Sequence, residues 1–158
     1  MAIRGKNMMS GAKLDVVRVP GNATAASNGS QGSSNPLSGA FRTSIQLLEL
    51  GVTIMAGSAG TAITANAASV KWYLYNKGTA TAIASLDIPL STLVGTEYTS
   101  RDGTITWIGD YVNASSRVFP KGSFIGVEFD SGASGNTGNA NDGFAFYSFA
   151  PEFGAPPA

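Results

Sequence analysis

The chain has no histidine and no cysteine, and only 13 % of its 158 residues are charged. Without histidine, a Ser-His-Asp triad and an imidazole-ligated metal are both impossible. Without cysteine, thiol nucleophiles and zinc–thiolate sites go as well, and no disulfide staples the fold. Long apolar runs are also missing: nothing approaches the roughly 20 consecutive apolar residues that span a bilayer, so no membrane partner is expected. Met1–Ser10 carries Arg4 and Lys6 but lacks the apolar centre of a secretory signal, so the chain is expected to work where it is made. Ten cations balance ten anions. That balance provides no net field toward nucleic acid and little repulsion between copies. The expectation is a protein that packs and binds without catalysis or a cofactor.

What is there is enough for one domain: 43 % of residues are hydrophobic. Residues 1–40 read as an extended arm, 41–150 as a compact body and 151–158 as a Pro-containing tail. Arg4, Lys6, Lys13 and Arg18 face only Asp15 within the first 20 residues, a net of +3, which leaves −3 for the rest of the neutral chain. From Pro20 to Ala40 no residue is charged, and Gly, Ser, Asn and Ala dominate. A basic arm with a small-residue linker on an acidic body predicts that these four cations contact a neighbouring protein.

The body reads as strands. Lys13–Val19 is a short strand closed by Pro20, and Phe41–Leu50 is read as a strand despite imperfect alternation. Val52–Met55 is placed as a separate strand after Gly51. In VKWYLYN (70–76), Val70, Trp72 and Leu74 share one face and Lys71, Tyr73 and Tyr75 the other, before the turn Asn76-Lys77-Gly78. Thr81–Leu90 puts Ala84, Leu86, Ile88 and Leu90 on one face, with Pro89 ending the strand or marking an edge. Thr104–Ile108, Phe124–Asp130 and Phe144–Phe149 complete the set, with Ile125, Val127 and Phe129 inward and Glu128 outward. Short strands, Gly/Pro/Asn turns and no sustained helical period predict an all-β fold: an antiparallel β-sandwich, jelly-roll-like, with an extended N-terminal arm.

Carboxylate chemistry is the one catalytic option left, through a pair drawn from Glu97, Asp102, Asp110 and Glu128, but these occupy outward or turn positions. Asp130–Asp142 (DSGASGNTGNAND) offers hard oxygen ligands, with Asp130 and Asp142 the first candidates for calcium; it lacks the EF-hand spacing, and the expectation is a connection without metal. Gly57–Thr61 lacks the lysine of a phosphate loop and reads as a turn. Asn22, Asn28 and Asn113 sit in chance glycosylation triplets. Trp72, Trp107 and Tyr111 are a possible ligand platform, set against the ordinary role of aromatic residues in a core.

VTIMAGSAGTAIT (52–64), WYLYNKGTATAIASLDIPL (72–90) and VFPKGSFIGVEFDSG (118–132) together resemble the small β-sandwich proteins of tailed-phage particles, the capsid decoration or cement proteins. In the last of these, Pro120 and Gly122 resemble the corner through which a jelly-roll strand is entered. The resemblance implies a structural virion protein, homo-oligomeric and most simply trimeric. It would be made in the host cytoplasm and sit on the outer capsid surface, bridging subunits of the major capsid protein. The other reading is a carbohydrate- or receptor-binding β module, as in a tail-fibre head or lectin-like domain, using the aromatic platform.

Overall fold

The computed structural model describes residues 13–19, 35–56, 68–89, 91–130 and 141–151, with backbone alone over residues 13–19 and at a few strand ends. Ten strands account for most of them: β1 (Lys13–Val19), β2 (Asn35–Pro36), β3 (Ile45–Ala56), β4 (Ala68–Asn76), β5 (Thr79–Ile88), β6 (Glu97–Thr99), β7 (Thr106–Trp107), β8 (Val118–Phe119), β9 (Phe124–Asp130) and β10 (Asn141–Pro151). Two single 3-10 turns, Gly109–Val112 and Ala114–Ser116, lie between β7 and β8. Among the described residues no helix is long and apolar enough to cross a membrane. The chain is all-β.

The strands form two antiparallel sheets. One runs β1-β10-β3-β6, with β8 also on β3; the other runs β2-β9-β4-β5-β7. The lateral orders match. β1 leads to β2, β9 to β10, β3 to β4 and β5 to β6, so four chain segments lie side by side and each passes from one sheet to the other. Register places the strand ends joined by these connections at the same end: Val19 pairs with Gly143, Ala56 with Asn141, Asp130 with Ser69, and Ile88 with Ala68.

Alternation explains the core. Leu50, Val52 and Ile54 of β3, Ala145 and Tyr147 of β10, Val70, Trp72 and Leu74 of β4, and Ile125, Val127 and Phe129 of β9 are all buried in one cluster shared by both sheets. Burying these inner faces is the main stabilising term, at about 25 cal/mol per Å² of apolar surface. Leu37 and Phe41 join the same cluster. The body is therefore entered at Asn35, ahead of the boundary at residue 40 that composition marks, and Lys13–Val19 is fully paired with β10 within the first sheet.

Gly51 corrects the expected break between two strands. β3 runs unbroken from Ile45 to Ala56, and the aromatic ring of Phe146 lies over Gly51 on the outer face, where a Cβ would stand 2.0 Å from its Cζ. The glycine supplies room, and nothing about the local backbone ends the strand. Two bulges, at Ser148/Phe149 against β3 and at Trp72/Tyr73 against β5, interrupt strict alternation; the second lets both Ile83 and Ala84 be buried. Expected turns do appear. Lys77 (φ 49°) and Gly78 (φ 82°) form a two-residue hairpin loop of the kind that matches strand twist. Pro120 and Gly122 (φ 86°) bend the chain into β9, with the Ser123 amide and hydroxyl donating to the Pro120 carbonyl.

The outer edge of β3 is covered piecewise, by β8, by the Arg117 carbonyl accepting from the Leu47 amide, by Ser100 bonded to Leu50, and by β6. Short covering strands of this kind blunt an edge that would otherwise template aggregation.

Candidate functional surfaces

Three surfaces carry the chemistry that the sequence singles out. The first is the flank between β7 and β8. Here Trp107 and Tyr111 do come together, both half-buried against the core. Arg117 organises them: its guanidinium lies 3.9 Å from the centre of the Trp107 ring, its Nε donates to the Tyr111 carbonyl at 2.7 Å, and a terminal nitrogen donates to the Val112 carbonyl at 2.9 Å. Partial desolvation pulls the Arg117 pKa below its ordinary value, though a guanidinium remains charged. Tyr111 meets Phe119 edge-on at 5.8 Å, and burial followed by the nearby Asp110 charge pushes its phenol pKa up. One face of Trp107 is therefore already occupied by Arg117.

Trp72 does not belong to any platform. It is fully buried, its Nε1 has no hydrogen-bond partner, and its place on the inner face follows from the Val70-Trp72-Leu74 alternation. Its size and half-polar ring make it a core filler here.

The second surface is the outer face of the β9-β4-β5 sheet, where residues read only as the outward half of an alternating strand form a connected strip. Tyr75 stacks on Phe124 across the strands, with ring centroids 4.7 Å apart and planes 4° off parallel, and Tyr73 leans toward Tyr75 at 6.4 Å. The Tyr73 hydroxyl donates to the Glu128 carboxylate at 2.9 Å. Burial, then that hydrogen bond and the carboxylate's charge, push the Tyr73 pKa up to about 12, so the phenol stays protonated and donating. Burial and the same charge raise Tyr75. The outward alternation of Lys71, Tyr73 and Tyr75 was visible in sequence; the stacking partner Phe124 and the acceptor Glu128 come from β9, more than 45 residues away, and no local signal joins them.

The third surface is the outer face of the β1-β10-β3 sheet. Phe146 lies over Gly51, Phe144 is 38 % exposed, and Leu48, at the bulge of β3, is 39 % exposed. Arg101 and Glu49 form an ion pair at 3.1 Å nearby. Of the predicted arm cations, Lys13 and Arg18 sit on β1, paired opposite Phe149 and Phe144 by register, while Arg4 and Lys6 lie outside the described residues.

The carboxylates are scattered. Glu97 lies on β6 and Asp110 in a 3-10 turn, both exposed, while Glu128 is held by Tyr73 on the opposite sheet. Asp102 closes its own turn. It accepts from the Thr104 amide and hydroxyl and from the Thr99 amide, and the Thr104 bonds foremost hold its carboxyl below the usual range. Asp130 and Asp142 end β9 and begin β10, on different sheets; their side chains, and the connection between them, lie outside the described residues. Among the described residues, no group of three His, Cys, Asp or Glu side chains could hold a metal ion. No protein-family model, no curated protein and no solved structure matches the chain.

Proposed function

We infer that the protein is a non-enzymatic structural module of a virion, a capsid decoration protein that self-associates and bridges subunits of a repeated shell. The observation that carries this reading is the outer face of the β1-β10-β3 sheet. A solvated antiparallel sheet is polar on its outer side, but this one presents Phe144 and Phe146, and the same sheet carries an exposed Leu48 at the bulge of β3. Those side chains suit a face covered by another protein. The edge strand β1 borders the same sheet and brings Lys13 and Arg18 to its rim.

Two further features support it. The connections 20–34, 57–67 and 131–140 contain no charged residue, and the strand ends they join lie at one end of the two sheets. Segments without charge can be covered by a neighbouring subunit at little desolvation cost; the charges at this end are those of the strand ends themselves, Asp130 and Asp142 among them. The matching lateral order of the two sheets also supports the jelly-roll-like winding that the resemblance implies.

Sedimentation velocity on the purified chain, followed by co-sedimentation with shells assembled from tailed-phage major capsid proteins, tests the reading. The expected result is an oligomer, most simply a trimer, that binds shells saturably and is weakened by Phe144→Ser. A strict monomer that leaves every shell unbound would overturn it.

A further inference from the structure

The outer face of the β9-β4-β5 sheet lies on the other sheet from the face proposed for assembly. We propose that it is a saccharide-binding strip, in which the rings of Tyr73, Tyr75 and Phe124 receive the C–H faces of a neutral sugar chain and Glu128 with Lys71 engages its hydroxyls. The argument starts from register. Tyr75 sits between Phe124 of β9 and Ala80 of β5, Tyr73 between Gly126 and Ala82, and Lys71 between Glu128 and Ser85. Two aromatic rungs thus pass directly into a polar rung along β4. All three β4 side chains point away from the core, because Val70, Trp72 and Leu74 fill the inner face.

The margins of the strip are low. Ala80 and Ala82 flank it on one side, Gly126 and the exposed Pro36 on the other. Among the described residues no bulky side chain flanks Tyr73 on either neighbouring strand, which leaves a flat ring room to lie against it. A sugar ring has that shape, with an apolar C–H face and a polar rim, and it needs an aromatic surface with hydrogen-bonding groups at its edge. The polar rung supplies them. The Tyr73 hydroxyl uses one oxygen of Glu128, and a carboxylate accepts about four hydrogen bonds, so acceptor capacity remains; the exposed Lys71 supplies donors.

Charge narrows the ligand. Lys71 and Glu128 cancel and the next rung adds the exposed Asp87, so the strip lacks the cationic track that a phosphate backbone requires and disfavours an anionic polymer.

The test is a printed array of neutral oligosaccharides (glucans, galactans, mannans and xylans), followed by calorimetric titration of the best of them against the full chain. Binding that falls about tenfold or more in Tyr73→Ala and Tyr75→Ala, and several-fold in Glu128→Gln, is the expected result. Tyr73→Phe should retain part of the affinity, since it keeps the ring. Circular dichroism checks that each variant folds, and Val112→Ala, on the other flank, should bind as the parent does. An array without binding overturns the proposal, as does binding indifferent to all three positions. So does a shift of the sedimentation coefficient caused by the tyrosine substitutions, which would make the strip a contact between copies. Shell binding is measured separately, so either proposal can fail without the other.

Discussion

Substituting Gly51 by alanine tests whether the outer face of the first sheet is a built surface. A Cβ at this position would lie 2.0, 2.3 and 2.6 Å from three ring carbons of Phe146. Carbon atoms rest at about 3.5–4.0 Å, so the ring must retreat by roughly 1.5 Å or swing off the strand. Overpacking of this kind costs about 1–3 kcal/mol. Alanine itself favours the strand, since glycine in a strand interior is worse by roughly 0.5–1 kcal/mol. The net expectation for Gly51→Ala is therefore a loss of about 1–2 kcal/mol. In a Phe146→Ala background the obstruction is gone, and the same change should stabilise by roughly 0.5–1 kcal/mol. The sign inverts, and the cycle gives a coupling of about 2 kcal/mol. Urea unfolding followed by tryptophan fluorescence measures it, with Trp72 fully buried as the reporter, and the denaturant slope should stay constant. A Gly51→Ala variant that is neutral or stabilised with Phe146 present would refute the reasoning, as would the same cost in both backgrounds.

Three more outcomes are expected. Trp72→Ala should cost about 3–5 kcal/mol, whereas Trp72→Phe should cost much less than its lost volume implies, because it removes a buried Nε1 that has no partner and whose burial costs about 1–3 kcal/mol; urea midpoints compare the two. Carbon NMR of ring-labelled tyrosine should show Tyr73 titrating near 12 and moving down in Glu128→Gln. Because the folded state raises this pKa above the ordinary value of about 10, Tyr73's contribution to stability is complete below pH 10 and is lost as pH rises toward 12. Deleting residues 1–19 removes β1 and bares the β10 edge from Gly143 to Phe149, so the midpoint should fall and light scattering should rise.

Particular elements show how far local pattern carries. VKWYLYN announced its inner and outer faces correctly, because a strand alternates with period two and Trp72 falls in phase with Val70 and Leu74. Phe124–Asp130 behaved the same way. FAFYSF also alternates, but it puts aromatic residues on both sides: Phe144 and Phe146 face outward and Tyr147 and Phe149 inward, while the bulge against it adds Leu48 to β3 and shifts the phase there. A bulge depends on the partner strand, so no single-strand pattern reveals it. Gly51 misled for the same reason. Its role depends on Phe146, 95 residues away, and locally it reads as a breaker.

The functional surfaces divide along that line. The missing histidine and cysteine, the even charge balance and the β rhythm were properties of composition and short-range order, legible because they need no partner. Which aromatic residues meet was decided by register and sheet order: Trp107 with Arg117 at one flank, Tyr75 with Phe124 across β4 and β9, and Trp72 alone in the core. Strand pairing joins residues that are distant in the chain and close in space, and it is set by burial of both inner faces at once. A sequence read one segment at a time holds the parts of the Tyr73–Tyr75–Phe124–Glu128 strip; only the folded sheet brings them to one face.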